Sequence, residues 1–344
     1  MSGWKVRCTQ IPQWQSREEV TLGSARGYPK AKRIQVGPIM PHSNELAGRS
    51  SEPKRVLVTG ATGQQGGGLA RLLLQRGHHV RAMSRKPDSA AANELKKLGA
   101  EIVAGNLGDR ASVERAAKGI DVAYLVATPY EQGVEAETRF GRTGLDGIHA
   151  SGVPYVVYSS VSDADRKTGI PHFDSKAEVE EHLKGLGTEY SIVAPVFFME
   201  NLFAPWVSAG FAQGVLAMGV LPDRKLQVIS LPEIAEFTTL AVEQPRSFRG
   251  KRINIASDEP TPTEIARRLS EITGRKLAYH ALPLDEVRKQ SEDFAKMYDW
   301  FNRVGYSVDI ARLKHDYPQV HWRSFREWSG RQDWSRILPA STKA

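Results

Sequence analysis

Val56-Leu57-Val58-Thr59-Gly60-Ala61-Thr62-Gly63-Gln64-Gln65-Gly66, running on into Gly67-Gly68-Leu69-Ala70-Arg71-Leu72-Leu73, decides the fold. A short apolar run, three glycines spaced G-x-x-G-x-x-G, and an amphipathic stretch through Leu69, Leu72 and Leu73 read as strand, tight turn and helix. Glycine removes side chains where an anion must meet the backbone. Gly60 permits the turn, Gly63 the approach of a pyrophosphate, and Gly66 the contact of helix on strand. The unpaired amides and positive dipole end of the helix then face the phosphate, and Thr62, Gln64 and Gln65 belong to the same expected cofactor loop. The other reading is a structural turn with no ligand; the strand before it and the helix after it favour phosphate binding.

The pattern continues outward in both register and type. Strands are expected at His78–Met83, Glu101–Gly105, Asp121–Ala127, Tyr155–Ser159 and Ser191–Val196. Helices are expected at Ala90–Leu98, Ala111–Lys118 and Val134–Ala150, with Gly77, Gly99 and Gly119 as stops. Alternation of this kind predicts an α/β chain with a Rossmann-type doubly wound parallel sheet. Further on, Ser230–Glu243 reads as helix, Arg252–Ala256 as strand, and Thr261–Thr273 as a helix with Pro262 at its first position and Glu264 completing a capping box. The C-terminal third, with Trp300, Trp322, Trp328 and Trp334, reads as a smaller α/β substrate lobe. The expected organisation is a basic N-terminal extension at 1–53, a dinucleotide-binding domain at 54–200, and a C-terminal lobe at 201–344 that closes over the cofactor and interleaves with the sheet.

Composition narrows the function. The chain has 344 residues, 40% hydrophobic and 25% charged, which excludes disordered and collagen-like classes. The net charge of +8 resembles a nucleic-acid signature until it is located. Met1–Ser50 carries eight Lys/Arg against three Asp/Glu and so supplies +5, leaving +3 for the rest, too little for a phosphate-backbone partner. That segment, broken by Pro12, Pro29, Pro38 and Pro41, reads as a disordered arm, a processed targeting segment or residues upstream of the natural start; it lacks the apolar core of a secretory signal. A single cysteine, Cys8, excludes an intrachain disulfide framework, and a cytoplasmic location is expected. The longest apolar candidate, Gly210–Leu221, is too short to span a bilayer, so no membrane is expected. The histidines show no ligand spacing and no Gly-x-Ser-x-Gly elbow occurs, so neither a metal nor a hydrolase is expected.

The stretch after the second expected strand reads Met83-Ser84-Arg85-Lys86, without the carboxylate that binds the ribose 2′-hydroxyl of NAD. Arg85 can instead grip a 2′-phosphate through two charge-assisted hydrogen bonds and Ser84 can donate another, with Lys86 among the same expected cofactor-binding residues, so NADP(H) is expected over NAD(H). The alternative is that Arg85 and Lys86 form a solvated charged loop.

The loop Thr59-Gly60-Ala61-Thr62-Gly63, with Gln65-Gly66-Gly67 and Leu69-Ala70-Arg71 behind it, resembles the atypical short-chain dehydrogenases/reductases and, within them, the NmrA-like family over about Lys54 to Trp334. The resemblance implies an adenine contact at Asn106-Leu107, where Asn106 replaces the family's acid, and a nicotinamide-ribose contact near Thr128. It implies nicotinamide walls at Phe198 and Asn201, within Pro195-Val196-Phe197-Phe198-Met199-Glu200-Asn201; both phenylalanines read equally as core and Asn201 as a helix cap. Conventional members carry Tyr-x-x-x-Lys after the fifth strand. Here the segment is His172-Phe173-Asp174-Ser175-Lys176, so Lys176 is kept and His172 stands where the tyrosine would be. Lys176 is expected to face the nicotinamide ribose and is the main catalytic candidate, although Glu178 and Glu180 nearby allow a surface ion pair. His172 is a second catalytic candidate as a proton donor, or else a loop residue or substrate contact.

Two functions follow. An intact phosphate loop beside a lost proton donor points first to an NADP(H)-binding redox-state sensor or regulator with weak or no turnover. The alternative is an NADPH-dependent oxidoreductase that passes hydride to a small quinone, azo, enone or similar acceptor. Expected partners are a small-molecule acceptor or a regulatory protein, with a homodimer allowed and no direct nucleic-acid contact.

Overall fold

The computed structural model describes residues 52–338, so the expected extension at 1–53 lies outside the described residues apart from its last two positions. The apolar run becomes β1 (Arg55–Val58), and the glycine loop leads into α1 (Gln64–Gln75). Strands and helices then alternate: β2 (His79–Ser84), α2 (Ala90–Lys97), β3 (Glu101–Ala104), α3 (Arg110–Ala117), β4 (Val122–Leu125), α4 (Val134–Ala150), β5 (Tyr155–Ser159), α5 (Pro171–Gly185) and β6 (Glu189–Pro195). After them come β7 (Phe197–Phe198), α6 (Pro205–Ser208), β8 (Val215–Met218), β9 (Val228–Ile229), α7 (Leu231–Glu243), α8 (Pro245–Phe248) and β10 (Arg252–Ile255). The last elements are α9 (Pro262–Thr273), β11 (Ala278–Ala281), α10 (Leu284–Gln290), α11 (Glu292–Arg303), α12 (Ile310–Asp316) and α13 (Phe325–Ser329).

Seven strands form one sheet in the order β10-β6-β5-β4-β1-β2-β3, with every neighbouring pair parallel. Parallel strands need helical crossovers, which bury both faces of the sheet. Val56 and Val58 pack with Leu69 and Leu73 of α1 and Phe237 of α7 on one face, while Leu57 packs with Val113, Leu145 and Val179 of α3, α4 and α5 on the other. Strand order reverses between β1 and β4, which opens a crevice at their carboxyl ends.

The strand expected over Asp121–Ala127 pairs over Val122–Leu125: at its start Asp121 donates its N–H to the Arg55 carbonyl at 2.9 Å while its carboxylate accepts from the Arg55 N–H at 2.7 Å, and at its end the Val126 N–H goes to the Thr59 hydroxyl at 3.0 Å. The capping box of α9 forms as read, with the Thr261 hydroxyl accepting from the Glu264 N–H. Trp300, Trp328 and Trp334 share a second core with Phe211, Leu216 and Phe301, beside the parallel pair β8 and β11. Trp322 does not join them. Its ring lies 6.1 Å from Phe237, so it packs against the core on the sheet side.

One buried carboxylate ties these two cores together. Glu200 accepts from the Leu231 N–H at the start of α7 with both oxygens, at 3.1 Å, and from the indole N–H of Trp328 at 3.1 Å. Burial pushes its carboxyl up to about 7 against those hydrogen bonds, with the Glu233 charge adding to the rise. Because the folded-state value exceeds the ordinary 4.5, this contribution to stability is complete below about pH 4.5 and is lost as pH rises through about 7. At roughly 1.4 kcal/mol per pH unit the difference amounts to ~3 kcal/mol. Glu200→Gln keeps an acceptor for both donors and stays neutral. In scanning calorimetry its Tm is expected to match the wild type near pH 5 and to exceed it by about 5 °C at pH 8.5; an equal difference at both pH values would contradict this assignment.

Candidate functional site

The glycine loop forms the floor of the crevice. Gly60 adopts φ +61°, in the left-handed region that favours glycine. A Cβ at Gly66 would lie 2.6 Å from the Gly60 carbonyl oxygen and 2.8 Å from that of Thr59, so α1 sits directly on the turn. The N-cap of α1 is Gly63, which offers no side chain to the first-turn amides, and no acidic residue lies in that turn. By contrast α2, α3 and α9 are closed by Ser89, Asp109 and Thr261. The positive end of α1 is therefore left for an anion. Gln65 turns its amide away from the loop and donates to the Ser159 hydroxyl at 2.8 Å, which joins the start of α1 to the end of β5. Thr62 and Gln64 are half-buried beside it.

At the outer end of the crevice, Arg85, Gly105 and Asn106 line one cleft of about 340 Å³ with Arg115 of α3. Arg85 follows β2 and is exposed. It pairs at 2.6 Å with Glu131, from the loop between β4 and α4. This pair is about half exposed on both sides, so it is worth at most about 1 kcal/mol and can exchange for a better ligand. Lys86 is exposed. Ser84 is buried and its hydroxyl accepts from the Lys86 N–H, so the side chain expected to reach a phosphate is engaged locally. Asn106 accepts from the Gly108 N–H through its amide oxygen, and Leu107 packs into the core beneath α3 and α4.

At the inner end, Lys176 of α5 donates to the Ala127 carbonyl at the end of β4, at 3.0 Å, next to exposed Thr128. Its charge is paired at 2.9 Å with Glu137 of α4, a fully buried carboxylate that also accepts from Ser175. The surface-pair alternative for Lys176 is thereby corrected: Glu178 is exposed, and Glu180 turns away to Ser160 and Arg252. His172 is also not a loop residue. It lies in the first turn of α5, four residues before Lys176 and hence on the same helix face. Asp293 of α11 accepts from its backbone N–H at 3.0 Å and from Nδ1 at 2.6 Å.

Tyr130, from the loop that carries Glu131, stacks on Trp206 with ring centroids 6.4 Å apart, and Trp206 meets Phe294 at 6.0 Å. Tyr130 itself remains exposed. Phe198 is half-buried at the margin of the sheet-side core while Phe197 lies within the lobe core. Asn201 caps no helix; it sits inside a single 3₁₀ turn at Met199–Phe203 and its carbonyl accepts from the Ala204 N–H. Glu137, Asp293, Tyr130, Glu131 and Arg115 were not legible as site residues, because each reaches the crevice only through the tertiary fold. A separate cleft of about 480 Å³ opens between α4, α5 and α11, lined by Glu135, Asp174, Glu178 and Lys296, and contains none of the expected dinucleotide contacts.

An uncapped helix end behind a glycine turn, an exchangeable guanidinium at one end and a paired lysine at the other fit a nicotinamide dinucleotide laid across the carboxyl edge of the sheet. Family comparison reaches the same place: the model of the NmrA-like family matches residues 52–330. The chain belongs to the NmrA-like family. Among its relatives, an NmrA-like family domain-containing oxidoreductase of Malbranchea aurantiaca is 27% identical, over 83% of this chain and 98% of that protein. The structure of NmrA, a negative transcriptional regulator, in complex with NADP aligns with TM-score 0.65 and 19% identity, over 81% of this chain and 95% of that one. Triphenylmethane reductase of Citrobacter sp., complexed with NADP(H), aligns with TM-score 0.64 and 19% identity, over 76% and 94% of the two chains. This fold thus carries both a regulator and a reductase. No helix among the described residues is long and apolar enough to cross a membrane.

In this NmrA-like chain the close approach at Gly66 makes a direct test. Gly66→Ala must push Cβ against two backbone oxygens, so it is expected to cost about 1–3 kcal/mol of stability and to weaken dinucleotide binding at least tenfold by calorimetric titration. Wild-type affinity in the folded variant would contradict the assignment.

Proposed function

We propose that this protein is an NADP(H)-dependent oxidoreductase that reduces a small conjugated acceptor, such as a quinone, azo compound or enone. The observation that carries the proposal is the pairing of titratable groups at the nicotinamide end: His172 with Asp293 and Lys176 with buried Glu137, on one face of α5. A protein that only binds a dinucleotide needs the glycine loop but not two charge pairs brought together from three helices. When bound, the reduced nicotinamide supplies a hydride. The chain's own residues position the reaction: the α1 amides hold the diphosphate and Lys176 presents its ammonium to the ribose. The relative named an oxidoreductase supports this reading.

A second reading, a dinucleotide-dependent regulator working through a protein partner, is favoured by one observation. Arg85, the expected 2′-phosphate ligand, is held by Glu131 on the same loop as Tyr130, so occupancy of the outer end can move a surface loop. Preference for NADP(H), a cytoplasmic location and a homodimeric state belong to the proposal in either form.

Oxidation of NADPH followed at 340 nm over a panel of quinones and dyes separates the two. Turnover above about 1 s⁻¹ is expected of the enzyme, and micromolar binding without turnover is expected of the regulator. Arg85→Ala is expected to weaken NADP binding by about 10- to 100-fold and to leave NAD binding unchanged, in line with about 1.5–3 kcal/mol for a charge-assisted contact. Glu131→Ala, which frees Arg85, is expected to tighten NADP by up to about fivefold. Equal losses for both dinucleotides in Arg85→Ala would refute a 2′-phosphate role.

A further inference from the structure

The family's usual proton donor is missing from α5, yet the residue in its place is held with unusual definition. His172 is bound through both its backbone and its ring by one carboxylate, Asp293, from α11, 121 residues later in the chain. Asp293 lies in the first turn of α11 and accepts from the first turn of α5, so two helix N-termini converge on it and favour negative charge there. The Nδ1···Oδ2 distance of 2.6 Å assigns the Nδ1 proton to this bond and leaves Nε2 for another partner. The ring packs edge-on against Phe173 at 4.8 Å, which holds its plane, and the side chain is 15% exposed. Its helix face is the one from which Lys176 reaches the carboxyl end of β4.

We infer that His172 is the proton donor of the reaction and that Asp293, contributed by the C-terminal lobe, is the positioning residue that holds its ring. The inference rests on the oxidoreductase reading and adds the group that completes it. As the acceptor's carbon gains hydride, its conjugated oxygen or nitrogen becomes basic and takes the proton from Nε2. The Nε2–H bond breaks, an O–H or N–H bond forms on the product, and the imidazole is left neutral until water returns a proton. Asp293 stays ionised throughout and keeps Nδ1–H in place. Around the pair, Asp174 on α5 interacts with His172, Asp293 and Lys296 from α11, Tyr130 from the loop before α4 interacts with Asp293, and Lys176 and Glu137 are paired with each other. The opposite charges of Lys296 and Asp174, and of Lys176 and Glu137, leave Asp293 as the carboxylate bonded to the ring.

The test uses the full chain, with the variants His172→Gln and Asp293→Asn. Without cofactor, nitrogen-resolved proton NMR is expected to show a far-downfield ring N–H in the wild type that disappears in both variants. With NADPH and a quinone that is turned over, His172→Gln is expected to lower kcat at least 100-fold while NADPH affinity stays within about twofold. Asp293→Asn is expected to lower kcat with little change in KM and to displace the high-pH fall of kcat/KM toward lower pH. Should Asp293→Asn fail to fold, His172→Gln, which retains the backbone bond to Asp293, carries the decision. Turnover by His172→Gln within threefold of wild type would overturn the inference while leaving the oxidoreductase reading intact. Absence of turnover in every chain, with the ring signal present, would overturn both and make the pair a lobe-docking contact.

Discussion

The crevice depends on a helix start that no side chain closes and no acidic residue follows, that of α1. Every α-helix begins with backbone N–H groups that have no partner inside the helix. In this protein α2, α3 and α9 close theirs with Ser89, Asp109 and Thr261, while α1 begins at Gly63 with nothing. The backbone around that start is built from glycine: Gly60 turns in the left-handed region, and Gly66 lets α1 rest on the carbonyls of Thr59 and Gly60. A helix start of this kind favours an anion, and the sheet's order reversal beside β1 opens a crevice next to it.

The second constraint is the docking of the C-terminal lobe, which also works through helix ends. Glu200 closes the start of α7 and reaches Trp328, and Asp293 of α11 closes the start of α5 and reaches His172. Both are carboxylates placed where N-terminal amides converge, which lowers the cost of burying them. The crevice therefore has a different author at each end. The sheet and its loops supply Arg85 and Asn106, whereas at the inner end the lobe contributes Asp293, Trp206 and Phe294 to a face already formed by α5.

Most of the sheet was legible because its signals are local. Val56-Leu57-Val58, the glycine spacing and the capping box at Thr261 each act within a few residues, and the elements they mark lie within a residue or two of where the pattern puts them. The strand at Asp121–Ala127 reads too long because side chains take over the pairing at its two ends, the Asp121 carboxylate accepting from the Arg55 N–H and the Thr59 hydroxyl from the Val126 N–H, and such bonds leave no mark in the sequence. The site was legible by position and not by partner. Lys176 and His172 stand out through their spacing, but the carboxylates paired with them, Glu137 and Asp293, come from other helices and follow no sequence period. Trp322 shows the same limit from the apolar side: its neighbour Phe237 belongs to the sheet's helical cover, so a tryptophan-rich tail divides between two cores.

The most direct measurement is a crystal structure of the full chain with NADP⁺ bound. The account predicts the diphosphate against the first-turn amides of α1, the 2′-phosphate on Arg85 with Glu131 released, and the nicotinamide between Lys176 and His172. A dinucleotide bound elsewhere, or a glycine loop closed by side chains of the protein itself, would contradict it.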